Sequence, residues 1–65
     1  MTDLKFSLKE LRARKGWTQA EVAEMLGIST QTYNAWEKDL SNVGVSKVIA
    51  MADLFEVPLS QIKIA

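Results

Sequence analysis

The chain has no cysteine and no histidine among its 65 residues, a single proline and only three glycines. Without cysteine there are no disulfide staples and no thiolate metal sites, and without histidine the commonest metal ligand and acid–base group is gone. No glycine-rich phosphate loop is present and no serine has a base to activate it, so the serines read as helix caps and an enzyme is not expected. No metal, cofactor or small-molecule ligand is expected either. Zero cysteine fits a cytoplasmic setting. No apolar run approaches the ~20 residues of a membrane span, and the first residues carry no apolar signal-peptide core. Net charge is missing too, with eight basic residues against eight acidic ones. That counts against a nucleic-acid partner, because phosphate neutralisation provides most non-specific affinity. The distribution works the other way. Lys5, Lys9, Arg12, Arg14 and Lys15 put five of the eight positives in the first fifteen residues, while Asp53 and Glu56 lie late. A dipolar domain can present a basic side without being basic overall.

What is present is a single apolar-rich domain over 1–65 with strong helical punctuation; a chain of this size buries only about 60% of the surface its unfolded form exposes, so its core must be economical. Ser7 is followed three positions later by Glu10, and Thr18 by Glu21, both capping boxes; Ser29 caps a third helix. An apolar residue precedes each cap and faces one at the fourth helical position: Phe6 with Leu11, Trp17 with Val22, Ile28 with Tyr33. These are hydrophobic staples. Gly16 ends the first helix and Gly27 the second. After Lys38 the run DLSNVGV breaks periodicity. Ser46 is expected to cap a fourth helix with Val48, Ile49, Ala52 and Phe55 in the core, and Pro58 to open a short fifth helix near 59–62. Residues 61–64 alternate as Asp3 to Phe6 do, so the two ends either pair as a small two-stranded element or fray. The expected fold class is all-α with five helices.

Thr18 to Lys38 organises the rest. Only Gly27 and Ile28 separate its two helical patterns, too tight a joint for an antiparallel hairpin, so the helices cross steeply. Tyr33, Trp36 and Glu37 share one face of the second helix. The opposite face is Gln31, Ala35 and Lys38, flanked by Thr32 and Asn34: polar, short-chained and uncharged before Lys38. It reads either as an ordinary solvated surface or as an edge for reading bases. Solvated faces are usually rich in Glu and Lys, whereas a glutamine near a helix start can pair bidentately with adenine in the major groove. Arg12, four residues after Leu8, shares the core-facing stripe of the first helix and wants a carboxylate. Glu37, inward on its own helix, is the natural partner; the alternative is two snorkelling charges that never meet.

These residues resemble the helix-turn-helix of the phage repressor and Cro family, the xenobiotic-response-element type. The resemblance is carried by Gln19, Val22, Ala23, Leu26, Gly27, Ile28 and Trp36-Glu37, with Leu8-x-x-Leu11-Arg12 before them and Ala52-x-x-Phe55-x-Val57-x-Leu59 after, roughly residues 7 to 62. Two departures stand out: Tyr33 where the family prefers Ile or Val, and Asp39 in place of the usual glycine after the second helix. The resemblance implies a small transcriptional regulator, a repressor of phage or mobile-element type, that binds a palindromic double-stranded DNA operator as a homodimer. It places Thr30, Gln31, Thr32 and Ala35 nearest the base edges, and Gln19, Asn34, Lys38 and Asn42 on phosphates. It makes Arg12 and Glu37 a structural ion pair and sets Leu40, Val43 and Leu59 against a symmetry mate. Val45 is expected to close the monomer's own core. The rival class is a protein-interaction module such as an antitoxin subunit, supported by zero net charge and the apolar extras Met25, Leu40 and Val43.

Overall fold

A computed structural model describes residues 4–64. Four α-helices follow one another, α1 Leu8–Lys15, α2 Gln19–Leu26, α3 Thr30–Lys38 and α4 Val45–Phe55, and a 3₁₀ turn spans Leu59–Gln61. The described residues contain no strand.

The helix ends are built by local chemistry. Ser7 Oγ accepts the Glu10 amide N–H while the Glu10 carboxylate accepts that of Ser7, and Thr18 and Glu21 repeat the exchange. Two orphan donors are satisfied at each start. At the other end of α2, Gly27 takes φ 72°, its N–H reaching Glu24 O at 3.1 Å and the Ile28 N–H reaching Ala23 O at 3.0 Å. This pair of bonds closes the helix and reverses the chain within two residues, so α3 begins across α2 instead of beside it. The same closure ends α4, where Glu56 occupies the left-handed position at φ 59° and pairs with Lys15 across from it.

Leu8 and Leu11 of α1, Val22 and Ala23 of α2, Tyr33 of α3, and Val48, Met51, Ala52 and Phe55 of α4 form the core, completed by Leu40 and Ile62. The staple residues Phe6, Trp17 and Ile28 pack against it, half-buried.

Several expectations are corrected. Ser46 does not cap α4: Gly44 is the N-cap, without a side-chain bond, and Ser46 lies in the first turn. The helix thus begins two residues earlier than expected, and Val48, Met51, Ala52 and Phe55, at helical spacing on one face, are its buried residues. Met51 thereby takes the core place expected of Ile49, which is 44% exposed. The fifth helix is only the 3₁₀ turn after Pro58, with Gln61 N–H on Pro58 O and Ile62 N–H on Leu59 O. It cannot lengthen because Ile62 is drawn into a parallel bridge with Phe6: Phe6 N–H reaches Gln61 O and Lys63 N–H reaches Phe6 O, both at 2.8 Å. The pairing of the two ends amounts to this one bridge; its proposed reach to Asp3 lies outside the described residues. Asp39 stands in place of glycine because the chain leaves α3 extended, at φ −160°, which any residue adopts. From there Leu40 turns inward, its N–H on Ile64 O, and its side chain is 2% exposed.

The left-handed position at Gly27 yields a stability test. A Cβ there meets nothing within 4 Å, so Gly27→Ala carries only the backbone penalty of that conformation. The substitution should lower the unfolding free energy by about 1–2 kcal/mol, measured by urea denaturation with an unchanged denaturant slope. An unchanged midpoint would mean the joint adapts without that conformation.

Candidate nucleic-acid interface

One carboxylate ties three helices together. Arg12 Nε of α1 donates to Glu37 Oε2 of α3 at 2.6 Å, and Arg12 Nη1 donates to the Trp17 carbonyl in the α1–α2 joint at 3.0 Å. Gln19 Nε2, at the start of α2, donates to Glu37 Oε1 at 2.9 Å, and Asn34 Nδ2 of α3 donates in turn to Gln19 Oε1 at 3.2 Å. A carboxylate only accepts, so Glu37 fixes which end of the Gln19 amide faces it, and Gln19 then fixes Asn34. Burial acts to raise the Glu37 pKa, but the hydrogen bonds from Arg12 and Gln19, with the Tyr33 hydroxyl adjacent, outweigh it and hold the carboxyl below its ordinary 4.5. The bond to Glu37 correspondingly raises the Arg12 guanidinium. Tyr33 is fully buried, and burial pushes its phenol upward; the hydroxyl meets hydrogen-bond geometry with no partner.

The involvement of Gln19 and Asn34 in this cluster was not anticipated from the sequence. The available signal was spacing: Asn34 and Glu37, three apart, share a helix face. Each amide is half-buried, and each keeps one N–H unused by these bonds.

Thr30, Gln31, Thr32, Ala35 and Lys38 are all exposed on α3, and Asn42 is exposed in the loop after it. The first turn of α3 is held by Ser29, whose Oγ accepts the Thr32 amide N–H at 3.1 Å. The basic residues near the start of the chain are largely engaged within the domain. Arg12 pairs with Glu37, Lys15 with Glu56, and the Arg14 guanidinium lies 4.9 Å from the centre of the Phe6 ring. Lys5 and Lys9 are exposed. No group of three potential metal-ligating side chains occurs among the described residues, and no described helix is long and apolar enough to cross a membrane.

Of the residues expected against a symmetry mate, Leu40 is corrected. It is a core side chain, because the extended exit from α3 and its bond to Ile64 turn it inward. Val43 is half-buried and Leu59 is 42% exposed. Val45, expected to close the core, is instead 66% exposed, since it opens α4 one residue after the Gly44 cap. With Ile64 they line an apolar groove of about 320 Å³ floored by Leu40 and Ile62.

Two capped helices joined through a left-handed glycine, the second exposing an uncharged polar face, define a helix-turn-helix. The chain belongs to the helix-turn-helix family of the xenobiotic-response-element type, whose match covers residues 8–62. It is similar to an HTH-type transcriptional regulatory protein of Pyrococcus furiosus, 36% identical over 52 residues, covering 80% of this chain and 16% of that protein. It is also similar to the HTH-type transcriptional regulator AnsR of Bacillus subtilis, 31% identical over 55 residues, covering 85% of this chain and 47% of that one. The chain thus spans less than half the length of these curated relatives.

The Glu37 carboxyl gives the domain a pH signature. The unfolded state takes up this proton near 4.5 and the folded state only lower, so its stabilisation is fully present above pH 4.5 and is lost as pH falls through the folded value. At pH 7, Glu37→Gln should destabilise by about 3 kcal/mol, the low end for a buried pair because Arg12 keeps 18% of its side chain exposed. The gap between wild type and variant should narrow below pH 4.5, read from thermal unfolding at a series of pH values. A gap that stays constant from neutral to strongly acidic pH would show that the charge of Glu37 is not what stabilises.

Proposed function

We propose that this domain binds double-stranded DNA sequence-specifically as the reading head of a transcriptional repressor. The observation that carries the reading is the exposed polar face of α3, uncharged before Lys38, held at a set angle to α1 and α2 by the Glu37 cluster. The two similar proteins, both named as transcriptional regulators of the HTH type, support it. In this reading Thr30, Gln31, Thr32 and Ala35 meet base edges in the major groove. The unused N–H groups of Gln19 and Asn34, with Lys38 and Asn42, hold the flanking phosphates. A rigid mounting matters because discrimination between bases depends on donors held within a fraction of an ångström.

A single helix in one groove reads few base pairs, and the chain carries no net positive charge, so a lone domain would bind weakly. We therefore assign the apolar groove of Val43, Val45 and Leu59 to a two-fold contact, with half-sites one helical turn apart, ~34–36 Å, on a palindromic operator.

Base reading is tested at Gln31. Gln31→Ala should lose about 1–3 kcal/mol on a duplex selected from a random pool and almost nothing on a scrambled duplex. Equal loss on both removes base reading there. In the same titrations, affinity for random duplex must fall steeply with salt. Without any such affinity, the domain is a protein-interaction module and not a DNA reader.

The two-fold contact is tested with Val45→Glu, an exposed site in the first turn of α4 where a carboxylate suits the helix dipole. Sedimentation equilibrium should show the native protein dimerising and the variant monomeric, with operator affinity reduced tenfold or more. A native protein monomeric at high micromolar concentration, together with unchanged operator binding by the variant, leaves the groove without this role.

A further inference from the structure

One residue on the outward face of α3 has no hydrogen-bonding side chain. Thr30, Gln31, Thr32, Asn34 and Lys38 each carry a polar atom, whereas Ala35, exposed among them, ends in a methyl. We propose that Ala35 reads the 5-methyl group of a pyrimidine, so that the domain favours a methylated pyrimidine, thymine or 5-methylcytosine, over the same base without the methyl. This rests on the DNA reading proposed above.

A side chain with neither donor nor acceptor cannot tell bases apart by hydrogen bonds, and it cannot hold a phosphate. In the major groove the base edges present nitrogen and oxygen acceptors, amino donors and a single apolar group, the methyl on C5 of thymine. Cytosine methylated on the same ring carbon presents that group at the same place. The Ala35 methyl lies one carbon from the backbone, so it touches only a group that stands out from the base edge, and only with α3 seated close in the groove. The opposite face of α3, with Tyr33, Trp36 and Glu37, is committed to the core and the ion pair, so the helix cannot roll to turn Ala35 away.

The helix also sets where the methyl must be. Ala35 follows Gln31 by four residues, a rise of about 6 Å, and successive bases of a strand are ~3.4 Å apart, so the methyl lies within about two base-pair steps of the base that Gln31 meets. Covering one methyl is worth about threefold to fourfold in affinity.

The experiment measures affinities at one salt concentration for a duplex selected from a random pool, with each thymine replaced in turn by uracil, which removes only the methyl. At a sensitive position the pair is then replaced by cytosine or by 5-methylcytosine opposite guanine, so that the methyl is again the only difference between the two. The native protein should lose about threefold to fourfold from thymine to uracil at a position within about two steps of one sensitive to Gln31→Ala, and should prefer 5-methylcytosine to cytosine there by the same factor. Ala35→Gly, which removes the side-chain methyl alone, should abolish both preferences. Thr30→Ser and Thr32→Ser, which remove the threonine methyls and keep the hydroxyls, should leave them unchanged. A native protein with no such position overturns the proposal, whatever Ala35→Gly does to folding. A folded Ala35→Gly protein that keeps the preferences overturns it too, as does their loss in either threonine variant. If the native protein binds no duplex at all, the DNA reading itself has failed and carries this inference with it.

Discussion

Glu37 is the side chain on which the arrangement of the helices depends. It belongs to α3, is charged by its contact with Arg12 of α1, and orients Gln19 at the start of α2, while the same arginine reaches the carbonyl of Trp17 in the joint between α1 and α2. A buried pair of this kind contributes little net stability compared with apolar side chains of the same shape, because desolvation offsets most of the attraction. Its directional demands are another matter: five hydrogen-bonding groups must coincide, and few relative positions of three helices allow that. In a domain whose core is eleven buried side chains, non-directional apolar packing sets the position of α3 over α1 less sharply than directed hydrogen bonds do. The cluster removes that freedom at the point where α3 leaves the core and its outer face becomes available.

Local chemistry was legible in the sequence wherever neighbours a few residues apart decide the outcome. The capping boxes at Ser7 and Thr18 and the glycine exit at Gly27 involve groups within five positions of each other, so their types and spacing suffice. Arg12 and Glu37 were legible for a different reason: each is a charge on an apolar stripe, and such charges need partners. The failures share a cause. Which of Met51 and Ile49 is buried depends on how α4 is rotated about its axis against the rest of the core, a comparison that requires the other helices to be in place. The length of the last helix was set by the bridge of Ile62 to Phe6, 56 positions away. Leu40 and Val45 exchanged roles, one buried and one exposed, because the chain leaves α3 extended where the family pattern has a glycine turn. Of the outer face, the sequence identified the exposed residues of α3, but not that Gln19 and Asn34 are bonded to the cluster behind them, since an amide carries no hydropathy signal of its own.

Charge sets the terms on which such a domain can recognise DNA. The cluster of positive side chains near the start of the chain looks like a basic edge in the sequence, but in the structure Arg12, Lys15 and Arg14 are held by Glu37, Glu56 and the Phe6 ring. With eight basic residues balanced by eight acidic ones, phosphate attraction, which depends on displacing counterions with exposed positive charge, gains nothing from net charge. If the domain reads DNA as proposed, its affinity would come from terms that do not grow with net charge: neutral amide donors on phosphates, hydrogen bonds to bases, and duplication of the contact by a second copy. Each demands geometry. A lysine tolerates misplacement by an ångström or more, whereas a hydroxyl or a carboxamide does not. In that reading a recognition face that is uncharged before Lys38 and a rigid ion pair behind it are two sides of one constraint. Under the proposed DNA reading, binding to random sequence would be weak, and the Glu37 cluster would act on the ratio between specific and non-specific affinity and not on the absolute affinity.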